Sequence, residues 1–424
     1  MVLCSIITIG DELLIGQTID TNSAFIAQEL NKIGVWVKRK VAVGDVYDDI
    51  WRALDEESMQ SDIIIITGGL GPTADDITKP LLCKYFGGKL VVNEKVLEHV
   101  KYLFEKVFRR TGPMLESNLK QAEVPDVCLV LHNSRGTAPG MLFKKEGKVF
   151  FSLPGVPHEM KGLILKEVVP HILKEFSLPA IVHRTAFTAG QGESMIAELL
   201  KDFEPSLPSH IKLAYLPNYG MVKLRLTSQG NNKEEVEKEL APYFEQLQLL
   251  VKEYLVSNED EGLETVIGKI LKAKGKTMAT AESCTGGYIA HLITSVPGSS
   301  EYYKGTVVSY SNDVKENVLD VKHETLETFG AVSEETVKEM LKGVIETMNV
   351  DYALATSGIM GPDGGTEEKP VGTVWIAAGN KEKPDSYRVE TLKLNLRFDR
   401  QRNIIITAGN ALNFLRKFIL KSQD

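Results

Sequence analysis

Short apolar runs alternate with amphipathic stretches through the first part of the chain. Residues 61–67, SDIIIIT, contain four consecutive isoleucines bounded by polar residues, a pattern typical of a strand buried on both faces of a sheet. Residues 21–34, TNSAFIAQELNKIG, repeat their apolar side chains at helical spacing and end on glycine. Because β-branched strands alternate with helices, residues 1–172 are predicted to form an α/β domain with a mainly parallel sheet.

Two changes of pattern divide the remainder of the chain. Residues 173–256 contain adjacent strand-like segments and a long charged helix, which predict a small α+β module. Residues 257–424 return to strand–helix order and predict a second α/β domain. A chain of 424 residues exceeds the size of one hydrophobic core, so two or three domains are expected.

Charge and cysteine content narrow the class of protein. The formal net charge of −8 gives no general attraction to nucleic acid or to anionic membranes. The four cysteines lack C-x-x-C spacing, which argues against a structural zinc site or a disulfide framework. The first residues lack a basic segment, and no apolar run approaches the roughly 20 residues of a membrane span. We therefore expect a soluble cytoplasmic protein with neither membrane nor nucleic acid as partner.

The first candidate site begins at residues 67–78, TGGLGPTADDIT, directly after the isoleucine strand. Its glycines allow positive φ angles and let backbone N–H groups approach an anion closely. Two carboxylates, Asp75 and Asp76, follow where a helix should begin, and this combination suits a phosphate–metal site. The alternative is a tight strand–helix turn with an aspartate cap. The candidate phosphate ligands in this loop are Gly68, Gly69, Gly71 and Thr73.

Two other loops should meet the first one, because ligands bind outside the carboxyl ends of strands in such sheets. They are residues 10–22, GDELLIGQTIDTN, and residues 152–160, SLPGVPHEM. A divalent cation such as Mg²⁺ would suit their oxygen ligands. Asp11 could instead cap a helix, and Asp20 could form a turn with Asn22. The candidates from these loops are Asp11, Glu12, Asp20, Asn22, Pro154 and Gly155.

The second candidate site lies in the C-terminal domain, where residues 281–287, AESCTGG, join a strand to a helix. Ser283 and Cys284 compete as nucleophiles there, because a helix N-terminus favours negative charge. Lys315 with a lowered pKa could act as base, and Tyr310 lies close to it in sequence. The glycine-dense residues 356–375 could form an oxyanion hole or a phosphate cradle. Alternatively, Cys284 is a buried apolar side chain, Tyr310 a core aromatic and Lys315 an exposed helix residue.

The motifs of the first three loops resemble the molybdopterin-binding domain of the competence/damage-inducible CinA family. That domain is similar to proteins that adenylylate molybdopterin. The resemblance implies that the T-G-G loop holds phosphate and that Asp76 and Asp45 serve a divalent metal. It also implies metal-dependent hydrolysis of ADP-ribose to AMP and ribose 5-phosphate.

The C-terminal motifs, A-E-S-C-T-G-G, Y-S-N-x-x-K and S-G-I-x-G-P-x-G-G, resemble the nicotinamide-nucleotide amidase domain of the same family. The resemblance implies that nicotinamide mononucleotide is hydrolysed to nicotinate mononucleotide and ammonia, with no cofactor. Ser283 would be the nucleophile and Lys315 its base. Tyr310 would assist this base, and Ser357 would stabilise the amide oxygen. Apart from the resemblance, Glu282 could orient Lys315 or bind ribose, and both alternatives stay open. The substrate-binding candidates are Thr285, Gly286, Gly287, Gly358, Gly361, Arg400 and Arg402. The two arginines would bind the nucleotide phosphate, or alternatively they pair with surface acids.

The middle module resembles the KH-like domain of the family. Its GQGE segment lacks the basic flanks of an RNA-binding loop, so a spacer or dimer-forming role is favoured and a homodimer is expected. The three predicted domains are residues 1–172, 173–256 and 257–424. A bifunctional pyridine-nucleotide recycling enzyme is the favoured function. The alternative is a pterin- or nucleotide-binding regulatory protein linked to competence or DNA damage, with little catalysis.

Overall fold

The computed structural model describes residues 2–71, 76–107, 116–383 and 386–422. The chain forms two compact units, residues 1–182 with 228–238 and residues 183–227 with 239–424. No helix within these described ranges is long and apolar enough to cross a membrane. The division at residues 172 and 256 stays a prediction.

The first unit contains a six-stranded sheet in the order β2-β1-β3-β8-β7-β6. Its strands, with a small separate pair, are β1 Leu3–Ile9, β2 Trp36–Val43, β3 Ile63–Thr67, β4 Leu90–Val92, β5 Glu123–Pro125, β6 Leu129–Leu131, β7 Gly140–Lys145 and β8 Lys148–Leu153. Its helices are α1 Asp11–Leu14, α2 Thr21–Lys32, α3 Tyr47–Ser58, α4 Thr78–Tyr85, α5 Glu94–Tyr102, α6 Glu116–Leu119, α7 Pro157–Leu163 and α8 Val169–Glu175.

The core of this unit lies on both faces of the sheet. Alternate isoleucines of β3 point to opposite faces: Ile63 and Ile65 join one apolar cluster, and Ile64 and Ile66 join the other. Strands β1, β2, β3 and β8 run parallel, which confirms the predicted parallel-rich sheet. Strands β6 and β7 extend it with antiparallel pairs that the sequence pattern did not reveal. The carboxyl ends of β1, β3 and β8 therefore share one edge.

The middle region forms a four-stranded sheet in the order β10-β11-β9-β12. A two-residue turn joins β10 and β11, whose antiparallel register places Asn218 opposite Met221. This arrangement agrees with the predicted α+β module. Its elements are β9 Ala180–Ala189, α9 Glu193–Leu199, β10 Lys212–Asn218, β11 Met221–Gly230, α10 Lys233–Leu250 and β12 Leu255–Ser257.

The C-terminal part contains a five-stranded sheet in the order β14-β13-β15-β16-β17. Strand β13 pairs in parallel with β14 and β15, and the last two strands are antiparallel. The strands are β13 Met278–Glu282, β14 Tyr303–Val308, β15 Tyr352–Gly358, β16 Thr373–Lys383 and β17 Ser386–Asn395. The helices are α11 Leu263–Lys274, α12 Tyr288–Thr294, α13 Asn312–Leu319, α14 His323–Phe329, α15 Glu334–Met348 and α16 Arg400–Lys421.

Two features of this part differ from the sequence pattern. Strand β17 was not predicted, because its half-exposed position leaves charged residues alternating with apolar ones over its whole length. Helix α16 begins at Arg400 with Asp399 as its cap, so both candidate arginines lie inside the helix rather than before it. This placement decides where each guanidinium points.

Candidate functional site

The best-defined site is a cleft at the carboxyl ends of β13, β14 and β15. Ser283 follows β13 directly, Ser357 lies near the end of β15, and Lys315 lies in α13 after β14. Parallel strands bring these positions to one edge of the sheet. The cavity there measures about 190 Å³. It is lined by Ser283, Cys284, Tyr310, Asn312, Lys315, Ala331, Val332, Ser357, Gly358, Met360 and Arg400.

Lys315 and Ser283 form the chemical centre of the cleft. Lys315 is only 1% exposed, and its Nζ lies 3.2 Å from Ser283 Oγ and 2.7 Å from the carbonyl oxygen of Ser309. Within the described part of the chain no carboxylate forms a salt bridge with it. Burial without a counter-ion lowers the pKa of Lys315. A lowered pKa makes the neutral amine easier to form, and a neutral lysine can accept the proton of the Ser283 hydroxyl.

Glu282 organises the turn that presents Ser283. Its carboxylate is fully buried and accepts hydrogen bonds from the backbone N–H groups of Gly287, Ile289 and Ala290 at 2.8–3.1 Å. The hydroxyl of Thr285 donates a further bond of 2.8 Å. These donors are the free N–H groups at the start of α12, which favour a carboxylate. These hydrogen bonds give Glu282 a structural role in the turn. The sequence had instead suggested that it orients Lys315 or binds ribose.

The turn itself leaves donors near the nucleophile. Gly286 and Gly287 have φ angles of 60° and 93°, which glycine adopts without strain. The N–H of Ser283 is bonded to the carbonyl of Thr356 at 3.0 Å. Across the described residues, the N–H groups of Cys284 and Thr285 take part in no backbone–backbone bond. Neither N–H group is therefore taken up by the backbone of the turn.

Cys284 is a buried apolar-packing residue rather than an exposed thiol. Its side chain is 5% exposed and belongs to the apolar cluster that includes Ile289 and Ile293. Burial raises the pKa of its thiol to about 12, and the nearby hydroxyl of Thr356 offsets this only in part. The reactive thiolate is therefore strongly disfavoured at neutral pH.

Ser357 and Gly358 line the same cleft as Ser283. The Ser357 hydroxyl donates to the carbonyl of Ala331 at 2.6 Å, so its proton is already engaged. A Cβ at position 358 would come within 2.8 Å of Val374, which explains the glycine there. The structure therefore brings Ser357 to the cleft and leaves it no free donor for an amide oxygen.

The mouth of the cleft carries Tyr310 and Arg400. Tyr310 is 64% exposed, and its hydroxyl accepts a 2.9 Å bond from Arg400, whose other amino group donates to the Gly361 carbonyl at 2.8 Å. The guanidinium of Arg402 lies instead over the ring of Phe398. The structure brings Arg400 to the cleft and directs Arg402 away from it.

The candidate phosphate loops of the first unit also meet. The Asn22 amide donates to the Gly155 carbonyl at 2.8 Å and to Thr67 Oγ1 at 3.3 Å. The Thr67 hydroxyl donates to the carbonyl of Pro154 at 3.0 Å. Gly68 has a φ of 120° and lies against Gly155, where an added Cβ would stand 3.4 Å from the Gly68 Cα. These contacts join the three loops at one edge of the sheet.

The acidic candidates fall into different environments. Asp11 and Asp45 exchange bonds, each carboxylate accepting from the other's backbone N–H at 3.1–3.2 Å. Asp20 caps α2 by accepting from Ser23 N–H at 2.9 Å, whereas the alternative weighed from the sequence was a turn with Asn22.

The remaining candidates of this site lie on the first loop and in α1. The Asp76 carboxylate accepts from Gly71 N–H at 2.7 Å, and Glu12 lies in α1. In the first loop, Gly69 has a φ of 63°. Thr73 and Asp75 lie outside the described residues.

The acidic side chains of this site supply only part of the oxygen ligands that a divalent cation such as Mg²⁺ requires. No group of three or more His, Cys, Asp or Glu side chains among the described residues could hold a metal ion by itself. Mg²⁺ is commonly bound through one or two carboxylates together with substrate phosphates. Asp76 and Asp45 stay the predicted ligands, and the metal stays a prediction.

Two buried polar residues of α4 were not among the candidates that the sequence indicated. Lys79 is 8% exposed, and its Nζ donates to the Gln121 carbonyl at 3.1 Å. Burial lowers its pKa to about 8, against the opposing influence of Glu123 and Asp76. The hydroxyl of Thr78 is buried with no hydrogen-bond partner in the described structure. A lysine in the first turn of a helix, where the dipole disfavours a cation, was the available signal.

Together these features define a class: a multidomain α/β protein with a buried serine–lysine pair in a cleft of one domain. In another domain, three glycine-containing loops meet at one edge of a sheet. Comparison with family models makes the assignment specific. Residues 5–174 match the "Probable molybdopterin binding domain", residues 183–256 the "Damage-inducible protein CinA KH domain", and residues 260–419 the "CinA C-terminal domain". The chain belongs to the CinA family.

Individual relatives agree with this assignment. A "CinA-like protein" of Cytophaga hutchinsonii is 48% identical over 416 residues, covering 98% of both chains. A "CinA-like protein" of Flavobacterium psychrophilum is 46% identical over 419 residues, covering 99% of both. Among solved structures, the "competence/damage inducible protein CihA" of Agrobacterium tumefaciens is 36% identical over 37% of this chain and 92% of its own, with a TM-score of 0.35.

Proposed function

We propose that the C-terminal domain hydrolyses the carboxamide of nicotinamide mononucleotide to nicotinate mononucleotide and ammonia. The observation that carries the proposal is the buried Lys315 beside the Ser283 hydroxyl, 3.2 Å away and without a salt-bridge partner among the described residues. A nucleophile with its own base, in a cleft at the edge of a parallel sheet, suits acyl transfer. No metal or cofactor is needed for this chemistry.

The reaction follows from these positions in two stages. Neutral Lys315 takes the hydroxyl proton as Ser283 Oγ bonds to the carboxamide carbon, and the N–H groups of Cys284 and Thr285 bind the developing oxyanion. Lys315 then returns the proton to the leaving nitrogen, and the C–N bond breaks to release ammonia. Water, with Lys315 again as base, cleaves the acyl–serine ester to give nicotinate mononucleotide and free Ser283.

Arg400 is the residue that suits the nucleotide phosphate. Its guanidinium stands at the mouth of the cleft and is oriented by the Gly361 carbonyl and the Tyr310 hydroxyl. Arginine binds phosphate oxygens well because its planar fork offers paired donors. Because Tyr310 is bound to Arg400 rather than to Lys315, we assign it to substrate placement instead of proton transfer.

The test of the amidase is ammonia release from nicotinamide mononucleotide by the purified chain and two matched variants. Ser283→Ala should abolish release, whereas Cys284→Ala should retain most of it, because the neighbouring thiol is only a packing group. Ser283→Ala should leave ADP-ribose cleavage unchanged, which shows that the first unit is still intact. Ammonia release that survives Ser283→Ala would refute the mechanism.

For the first unit we propose metal-dependent hydrolysis of ADP-ribose to AMP and ribose 5-phosphate. A bound divalent cation would neutralise phosphate charge and lower the pKa of water. The carboxylates of Asp76 and Asp45 would hold it, and the N–H groups around Gly68 and Gly69 would bind the phosphates. Support comes from the meeting of the three loops through Asn22, Thr67 and Gly155.

The corresponding test is AMP formation from ADP-ribose with added Mg²⁺ or another divalent ion. Asp76→Asn should remove activity, because it keeps the acceptor for Gly71 N–H and loses the charge. Glu56→Gln, at an exposed position of α3, is the control and should behave as the parent chain. Unchanged AMP formation in Asp76→Asn would remove Asp76 from the mechanism.

A further inference from the structure

The turn between β10 and β11 contains an unusual residue. Tyr219 and Gly220 occupy its two positions with φ angles of 45° and 80°, the pattern of a type I′ turn. Asparagine, aspartate and glycine are preferred at both positions, and a bulky side chain with positive φ is costly. The Gly220 carbonyl is fixed by a 3.0 Å bond from Gly190 N–H. A strained tyrosine in a fixed turn points to a use for its side chain.

The Tyr219 ring contacts the start of α16 within the second unit. The Arg402 guanidinium lies 5.3 Å from the centre of the Tyr219 ring and 4.1 Å from that of Phe398. Cation–π contacts at such distances are favourable, most of all where the rings shield the cation from water. The adjacent Met221 packs against the apolar cluster that contains Leu412 of α16. The hairpin is therefore attached to this helix by both a polar and an apolar contact.

The same helical turn carries Arg400 into the cleft. Arg402 N–H is bonded to Asp399 at 2.9 Å, and fully buried Asn403 donates to the carbonyls of Met360 and Phe398 at 3.1 and 2.9 Å. Any shift of this turn would move the Arg400 guanidinium relative to the Gly361 carbonyl. The stack on Arg402 is thus positioned to limit motion of the phosphate-binding group.

We infer that Tyr219 is a positioning residue for the amidase: its ring holds Arg402 and thereby fixes Arg400 for the phosphate of the substrate. This inference rests on the proposed amidase function. It gives the middle module a role in substrate selection for phosphate-bearing nucleotides. The effect should appear in KM, because the phosphate is remote from the bond that is broken.

The experiment compares Tyr219→Asn with Tyr219→Phe in the full chain. Asparagine suits the type I′ turn, so Tyr219→Asn removes the ring without weakening the hairpin, and Tyr219→Phe keeps the ring. Tyr219→Asn should raise KM for nicotinamide mononucleotide about tenfold, equivalent to about 1.4 kcal/mol, with kcat nearly unchanged. Nicotinamide riboside, which lacks the phosphate, should be turned over equally by both variants. Arg402→Gln should reproduce the effect and add nothing to Tyr219→Asn.

A second measurement separates this inference from the proposed function. Hydrogen exchange of the segment 398–406 should be faster in Tyr219→Asn than in Tyr219→Phe. Equal exchange in the two variants would overturn the inference whether or not the amidase exists. Faster exchange with an unchanged KM, or an equal KM rise for the riboside, would overturn the link to Arg400. If the parent chain releases no ammonia, the amidase proposal fails, and hydrogen exchange alone decides whether Tyr219 holds the start of α16.

Discussion

The ammonium of Lys315 is held more closely by the Ser309 carbonyl than by Ser283, at 2.7 Å against 3.2 Å. The carbonyl bond orients Nζ without neutralising it, because a carbonyl carries no full charge. Burial then lowers the pKa of Lys315, so that deprotonation needs less alkaline conditions than for a free lysine. A base held in this manner has consequences for pH dependence, for stability and for substitution.

Amidase activity should increase with pH, because only neutral Lys315 can take the Ser283 proton. The value of kcat/KM should rise through the lowered pKa of Lys315 and level off above it, below the ordinary lysine range. Lys315→Arg should be inactive throughout, since arginine stays protonated. Measuring kcat/KM from pH 6 to 10 tests this, and a flat profile in the parent chain would contradict the base assignment.

Lys315→Met should abolish catalysis and stabilise the protein. The folded-state pKa lies below the unfolded one, so the unfolded chain binds more protons between the two values and stability rises with pH there. Methionine removes this cost, and we expect a gain on the order of 1 kcal/mol near pH 7. Urea unfolding at pH 7 and pH 10 should show a larger gain at pH 7, and a destabilised variant would speak against the unpaired buried charge.

Glu282→Gln should destabilise the C-terminal domain and reduce kcat. The neutral amide is a weaker acceptor for the N–H groups of Gly287, Ile289 and Ala290, and its NH₂ group would face donors. We expect a loss of about 3 kcal/mol in unfolding free energy. The exposed Glu327→Gln is the matched control and should change stability by less than about 0.5 kcal/mol. Equal urea midpoints for both variants would show that the Glu282 network contributes little.

Lys79 should control the alkaline limit of ADP-ribose hydrolysis. Its pKa of about 8 means that the cation near Asp76 is lost as pH rises through that value. AMP formation by the parent chain should fall above pH 8, whereas Lys79→Arg should retain activity at pH 9 because its guanidinium stays charged. Lys79→Met should be at least tenfold less active at pH 7. Identical profiles for the arginine variant and the parent would exclude this role.

Substitutions at Asp20 distinguish a residue that only caps α2 from one that binds substrate. Asp20→Ala should lose about 1 kcal/mol through the missing bond to Ser23 N–H, and Asp20→Asn should restore it. Both variants should keep the parent KM for ADP-ribose if Asp20 only caps α2. A KM that rises in Asp20→Asn, with stability intact, would return Asp20 to the binding site.

The sequence pattern was sufficient for the parallel strands and for the meeting of Ser283 with Lys315, because a parallel sheet places its strand ends together. It missed the antiparallel strands β6, β7 and β17. It did not reveal the burial of Lys315, since α13 reads as a polar helix and only tertiary packing encloses that residue. The place of Glu282 was also hidden, because its partners are mainly backbone N–H groups. Arg400 and Arg402, two positions apart in a helix, point about 200° apart and cannot both face one cleft. Recognising that α16 begins at Arg400 would have separated them.

Ser283 comes one residue after β13, a strand buried along its entire length, and its own N–H still bonds to β15 through the Thr356 carbonyl. Ser283 is therefore attached directly to a strand that is buried along its whole length. On heating, ammonia release should disappear together with the tryptophan signal of Trp375 on β16, in one transition. Inactivation of the amidase should then be a direct measure of how long the whole C-terminal domain survives.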